Sequence, residues 1–211
     1  MTIAVVDLPV ALRRLRRIEP AFGPLIRKVG PIELDVDPMV NAFESLTKAI
    51  VYQQLTGKAA ATIFGRFKAL YSGARFPLPE RVCATDARKL RKVGLSRAKA
   101  AAVKDLAQKV IDGTVPSVSA LKRMNDDEIV ERLTQVRGIG PWSAQMLLIF
   151  RLGRPDVLPI GDYGVRKGYA IAFSKRALPT PRALEAHGEA WAPYRTTASL
   201  LLWRAVDVTR K

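Results

Sequence analysis

Apolar side chains recur at i, i+3 and i+4 almost throughout this chain, and period-two alternation is sustained nowhere. The pattern predicts helices joined by short breaks, and no sheet. Asp7 is placed to cap a first helix with Leu8, Leu12 and Leu15 on one face. Pro20, Gly23 and Pro24 end that helix, and Gly30-Pro31 closes a second short piece. Asp37-Pro38 reads as a helix start with proline in the first turn. The helix that follows turns Phe43, Leu46, Ile50 and Val51 inward and reaches Gln53-Gln54-Leu55. Thr56-Gly57 interrupts, and another helix runs from about Lys58 to Tyr71. Phe76 to Pro79 reads as a loop. Thr85 or Asp86 caps a short helix ending near Gly94, and Ser96 caps a longer one to about Ile111, stopped by Asp112-Gly113. Ser117 and Asn125 read as further caps. Helices at about 127–136 and 141–152 flank a Gly138-Ile139-Gly140 turn. Asp162 caps a helix carrying Tyr163, Arg166 and Lys167, and Pro193 separates two last helices at about 181–191 and 194–208. The sum is an all-α chain of about ten helices, without internal repeats or low-complexity linkers.

Composition narrows the class. At 211 residues, 48% of them hydrophobic, the chain has room for a real core in one domain or two small lobes. The charge changes the picture: 35 Lys and Arg against 19 Asp and Glu leave +16, which predicts an anionic partner, most simply nucleic acid. Cys83 is the only cysteine, so an internal disulfide, a cysteine-rich zinc site and a four-cysteine iron–sulfur cluster are all excluded. A reducing, intracellular location fits, with Cys83 as a small core filler. His187 is the only histidine and reads as a surface or helix-packing residue. No apolar run approaches the roughly 20 residues of a membrane helix. The short N-terminal apolar stretch has the wrong charge order for a signal peptide, since Asp7 interrupts it and the arginines follow it. Arg13, Arg14, Arg16 and Arg17 suit a mitochondrial presequence, but Asp7 and Glu19 weaken that reading; a solvated helix face is the plainer one.

The densest chemical signal is Leu133-x-x-Val136-Arg137-Gly138-Ile139-Gly140. Two glycines bracket an apolar residue. Glycine permits positive φ and close backbone approach, and Ile139 can plug into the helix pair. The amides then face outward at the start of the next helix, where the macrodipole favours an anion such as a DNA phosphate, with or without a bridging monovalent cation. This is a helix-hairpin-helix pattern. Asp162 follows Gly140 by 22 residues, after Pro159 and Gly161.

Hairpin, Gly/Pro-rich loop and aspartate together resemble the helix-hairpin-helix-GPD superfamily of DNA base-excision glycosylases, and within it the AlkA-type 3-methyladenine DNA glycosylases. Here the loop runs from Gly153-Arg154-Pro155 through Val157-Leu158-Pro159-Ile160-Gly161 to Asp162. Asn41-Ala42-Phe43-Glu44-Ser45-Leu46 through Ile50-Val51-Tyr52-Gln53-Gln54-Leu55 resembles the family's early helix and its Gln-Leu wedge. Val93-Gly94-Leu95-Ser96 with Lys99-Ala100 resembles its G-x-S-x-x-K segment, and Trp191 through Tyr194-Arg195 to Trp203 its C-terminal helix. The likeness spans about residues 37 to 206. It implies two helical lobes with the active-site cleft between them: residues 1–38 plus 153–211, and residues 39–152 ending in the helix-hairpin-helix at about 127–152.

The resemblance also implies roles. Asp162 would be the catalytic carboxylate, stabilising the cationic sugar formed as the N-glycosidic bond breaks and orienting water. Leu55 would plug the space left by the flipped base, with Gln54 beside it. Trp142 stands where bifunctional relatives carry a Schiff-base lysine, which predicts a monofunctional enzyme without lyase activity. Its indole would stack on an alkylated purine, with Met146, Tyr163 and Tyr52 as further pocket candidates. Arg137, Gly138, Ile139, Gly140, Arg166 and Lys167 would meet the DNA backbone. Two departures stand out: the chain lacks room for the N-terminal α/β domain of longer AlkA-type enzymes, and Met146 stands where longer relatives place an aromatic. The expectation is therefore a monomeric enzyme that excises N3-methyladenine- or N7-methylguanine-type lesions from duplex DNA. It needs no metal, cofactor or membrane, and works in the bacterial cytoplasm and nucleoid or in a eukaryotic nucleus. The alternatives are a noncatalytic helix-hairpin-helix DNA-binding module and a glycosylase for oxidised or deaminated bases.

Overall fold

Thirteen α-helices and one 3-10 turn, and no strand, make up the described residues of the computed structural model, which are 6–73 and 75–209. The all-α expectation holds. Residues 1–5 of the N-terminal apolar stretch lie outside the described residues. By internal contacts the chain divides into two compact units. One comprises the residues up to Pro38 and those from Gln145 onward; the other runs from Met39 to Ala144. The division falls inside helix α10 (Pro141–Phe150), rather than at residue 152 where the hairpin's second helix was expected to end.

The first unit holds α1 (Leu8–Ile18), α2 (Phe22–Val29), α11 (Tyr163–Ala172), α12 (Pro181–Gly188), the 3-10 turn Glu189–Trp191 and α13 (Arg195–Thr209). Asp7 caps α1, accepting from the Val10 amide at 3.0 Å, and Arg13, Arg14, Arg16 and Arg17 are exposed on its outer face. Pro24 does not break the chain there; it sits in the first turn of α2, where its missing N–H has no helical acceptor to serve. The core gathers Leu15, Phe22, Val165, Leu184, Trp191 and Leu201 around α13. Gly168 lets α11 lie against α13, because a Cβ there would overlap the Leu202 carbonyl. His187 proves to be a packing residue, hydrogen-bonded to the Tyr169 hydroxyl at 2.6 Å and to Glu19 at 2.8 Å.

The second unit holds α3 (Ala42–Tyr52), α4 (Gly57–Ala69), α5 (Pro79–Ala84), α6 (Ala87–Lys92), α7 (Arg97–Ile111), α8 (Val118–Leu121), α9 (Asp126–Thr134) and the first turn of α10. Capping fixes most of these starts. Ser96 accepts from the Lys99 amide, Ser117 from Ala120, and Asn125 and Glu128 form a reciprocal capping box. Phe43, Leu46, Ile50 and Val51 are buried as expected, with Leu106, Ile129 and Leu133. Cys83 is only half-buried, and burial pushes its thiol above the ordinary range.

Three further expectations are corrected. Asp37-Pro38 does not start a helix. The Asp37 amide donates to the Phe150 carbonyl at 3.0 Å and its carboxylate pairs with Arg151, so α3 waits for Asn41, whose side chain accepts from the Glu44 amide at 3.1 Å. Pro79 begins α5 instead of lying in a loop, as proline at the first helical position can. The helix count exceeds about ten because short pieces such as α8 were too brief to show a period.

Candidate active site

The hairpin lies in the second unit. Gly138 takes φ +81°, a left-handed conformation that L side chains avoid, and Ile139 is buried beneath the turn. Two of its amides are already used: Ile139 N–H donates to the Val136 carbonyl at 3.0 Å and Arg137 N–H to Asp105 Oδ2 at 2.7 Å. The remaining candidates to donate to an external anion are the amides of Gly138, Gly140 and Ser143, around the N-terminal end of α10. Ile139 belongs to the motif as its plug and not as a phosphate donor. The Arg137 side chain is exposed beside the turn.

The Gln-Leu segment also lies in the second unit, directly after α3. Gln53 leaves the helix, Gln54 takes φ +54°, and Leu55 is 41% exposed. An exposed leucine on a sharply turned tip is not a core residue at a helix end. Two contacts fix the tip. Gln53 Nε2 donates to the Gly138 carbonyl at 2.8 Å, tying it to the hairpin. Lys99 Nζ donates to the carbonyls of Val51 at 2.8 Å and Gln53 at 2.6 Å. Tyr52, half-buried, meets the Phe64 ring edge-on at 6.4 Å. Trp142, in the first turn of α10, is 49% exposed, which excludes a packed core tryptophan.

Asp162 lies in the first unit and caps α11. Its Oδ1 accepts the Val165 amide at 2.7 Å and the indole N–H of Trp203 at 2.8 Å. The carboxylate is half-buried. Gly164 makes the second contact possible: a Cβ there would stand 2.8 Å from Trp203 Cδ1 and 3.1 Å from Asp162 Oδ1. The loop leading to Asp162 is sewn to the start of α13. Arg195 grips Asp156 through Nε and a terminal nitrogen, both at 2.8 Å. Thr196 Oγ1 donates to the Arg154 carbonyl and accepts the Val157 amide, and Ser199 Oγ donates to the Val157 carbonyl. Burial disfavours the Asp156 carboxylate, but the hydrogen bonds and charge of Arg195 outweigh it and hold the group below the usual carboxylate range.

Tyr163 is 61% exposed at the start of α11, and Met146 is half-buried in the first unit. Lys167 is exposed, whereas Arg166 spends its Nε on the Pro179 carbonyl at 2.8 Å and is partly structural. Trp203, Gly164 and Lys99 were missed as site residues. Trp203 and Lys99 stood only in segments of resemblance, and Gly164 carried no signal of its own.

The second unit thus carries a glycine hairpin, and the first a carboxylate clamped at a helix start and reached by a loop braced on α13. The family described as HhH-GPD superfamily base excision DNA repair protein matches residues 47–193. This chain belongs to the HhH-GPD superfamily. DNA-3-methyladenine glycosylase 1 of Schizosaccharomyces pombe is 40% identical over 162 residues, covering 77% of this chain and 71% of that protein. A solved structure of a 3-methyladenine DNA glycosylase from the same yeast, in complex with abasic DNA, is similar with TM-score 0.77 and 36% identity, over 92% of this chain and 94% of that one. A DNA-3-methyladenine glycosidase from Bacillus halodurans gives TM-score 0.81 and 34% identity, over 92% and 88%. The matched range includes both the hairpin at Gly138–Gly140 and Asp162.

Proposed function

We propose that this chain is a monofunctional DNA glycosylase that removes alkylated purines, of the N3-methyladenine and N7-methylguanine type, from duplex DNA. The observation that carries the reading is Asp162, held at the α11 start by Val165 and Trp203. Such lesions carry a positive charge on the base. The C1′–N9 bond breaks with its electron pair going to the base, which leaves neutral. Positive charge passes to C1′ and O4′, where a fixed carboxylate stabilises it electrostatically. Water then adds at C1′, and its proton goes to the carboxylate or to solvent, leaving an intact abasic site. A base that is already a good leaving group needs little protonation, so an exposed indole such as Trp142 serves by stacking on it.

In this reading the +16 charge supplies salt-sensitive phosphate affinity and the hairpin amides the fixed phosphate contact. The protein acts as a monomer on chromosomal DNA, in the nucleoid of a bacterium or the nucleus of a eukaryote. No resident metal or iron–sulfur cluster takes part, which suits a chain with one histidine and one cysteine. A monovalent cation bridging the hairpin and a phosphate would be a binding aid and takes no part in the chemistry. No described helix is long and apolar enough to cross a membrane. The test incubates the protein with duplexes bearing either lesion and follows free base and strand integrity. Free base with uncut strands supports the proposal. Strand cutting without added alkali or lyase contradicts the monofunctional part, and release only from oxidised or deaminated duplexes contradicts the substrate class.

A further inference from the structure

The Gln53-Gln54-Leu55 tip is held on both sides by groups that the reaction itself does not use. The last carbonyls of a helix lack N–H partners, and an ammonium can serve them. Lys99 does so from the first turn of α7, with its two bonds to Val51 and Gln53. Lys99 is half-buried and pairs with no carboxylate among the described residues, and burial lowers its pKa from the usual lysine value. A cation kept partly from water in order to hold two carbonyls marks a place where backbone geometry matters. On the other side, Gln53 Nε2 reaches the Gly138 carbonyl of the hairpin. Between these anchors Gln54 is turned into the left-handed region, sparsely populated for residues other than glycine, and Leu55 is delivered to the surface. Helix α7 serves the hairpin as well: Asp105 accepts the Arg137 amide, and Ala102 lies under Gly138. All of these groups belong to the second unit.

We propose that Lys99 and Gln53 are positioning residues that hold Leu55 as a rigid plug in fixed register with the phosphate-binding hairpin, so that backbone capture and invasion of the base stack engage as one step. The proposal rests on the reading of Leu55 as the plug of a base-flipping enzyme. Lys99 acts through the tip and touches neither the sugar nor the base.

The test needs no catalysis. A duplex carries a tetrahydrofuran abasic analogue opposite 2-aminopurine, whose fluorescence rises when a side chain enters the gap. Stopped-flow traces are compared for wild type, Leu55→Ala, Lys99→Met and the double variant. Lys99→Met keeps the aliphatic length and removes the donors. The expected results are loss of the rise in Leu55→Ala, a fall of about tenfold in its rate in Lys99→Met, and a double variant no worse than Leu55→Ala alone. Affinity for undamaged duplex and its salt dependence stay within about twofold in Lys99→Met, because the hairpin amides are untouched. A wild-type rise in either single variant, or a fall in undamaged-DNA affinity as large as the fall in rate, would overturn the proposal. Gln53→Met removes the other anchor and is read in the same way if Lys99→Met does not fold. Failure of wild type to release alkylated bases counts against the proposed function, while the fluorescence cycle still decides the plug.

Discussion

Replacing Trp203 by Phe deletes one hydrogen-bond donor from the site, the indole N–H that meets Asp162 Oδ1 at 2.8 Å. The ring position is otherwise supported, since Trp203 stacks on Phe150 with centroids 5.9 Å apart and planes at 28°, a contact phenylalanine partly keeps. A hydrogen bond to a charged group contributes about 1.5–3 kcal/mol, and both partners here are half-buried, so the lower figure applies. For a chain of this size that predicts a fall in Tm of roughly 3–6 °C. The catalytic consequence is larger. Asp162 keeps the Val165 amide as a pivot but loses the restraint that Trp203 supplies. Misplacing a catalytic group by about 1 Å costs on the order of 100-fold, and with the Val165 pivot intact the expected fall is about 10- to 30-fold. Single-turnover release of N7-methylguanine, measured well below the variant's Tm, reads this directly, and fluorescence anisotropy on undamaged duplex should change less than about twofold. A variant that releases base within twofold of wild type while its Tm falls would refute the positioning role. A matching fall in DNA affinity would refute it as well, by showing a general disturbance.

Two further predictions concern the scaffold. Asp156 has a folded pKa below its ordinary value, so its stabilisation is complete above the unfolded carboxylate pKa of about 4 and is lost as pH falls through the folded value. Asp156→Asn should therefore be less stable than wild type in chemical denaturation at neutral pH, with the gap closing below about pH 4; an equal gap at both pH values would contradict the ion-pair account. Gly138→Ala forces a Cβ onto φ +81°, at a cost of about 1–2 kcal/mol, although Ala102 Cβ at 3.5 Å leaves ordinary space. Its affinity for undamaged duplex should fall several-fold at fixed salt, and an unchanged affinity would contradict the role of the turn.

The helix framework was legible because its determinants are local. Asp7, Ser96, Asn125 and Asp162 each accept from an amide three residues on, a distance that capping rules can read. The hairpin was legible for the same reason. Asp37-Pro38 was misread because its partners, Phe150 and Arg151, lie more than a hundred residues away and overrode the local proline rule. What organises the site is likewise nonlocal: Trp203 reaches Asp162, Gln53 reaches Gly138, and Lys99 reaches back to α3. No period or spacing encodes those pairings. They follow from how the helices pack, and they give Asp162 a partner beyond the amide it caps.

The central claim is that Asp162 carries base removal, and Asp162→Asn tests it most directly. Asparagine caps helices about as well as aspartate, so α11 and DNA binding should survive, while the negative charge of the carboxylate is lost. On duplex DNA bearing N3-methyladenine, single-turnover release of free base should fall on the order of 100-fold or more, with affinity for the same duplex retained. Release at the wild-type rate by a folded, DNA-binding Asp162→Asn would contradict the account.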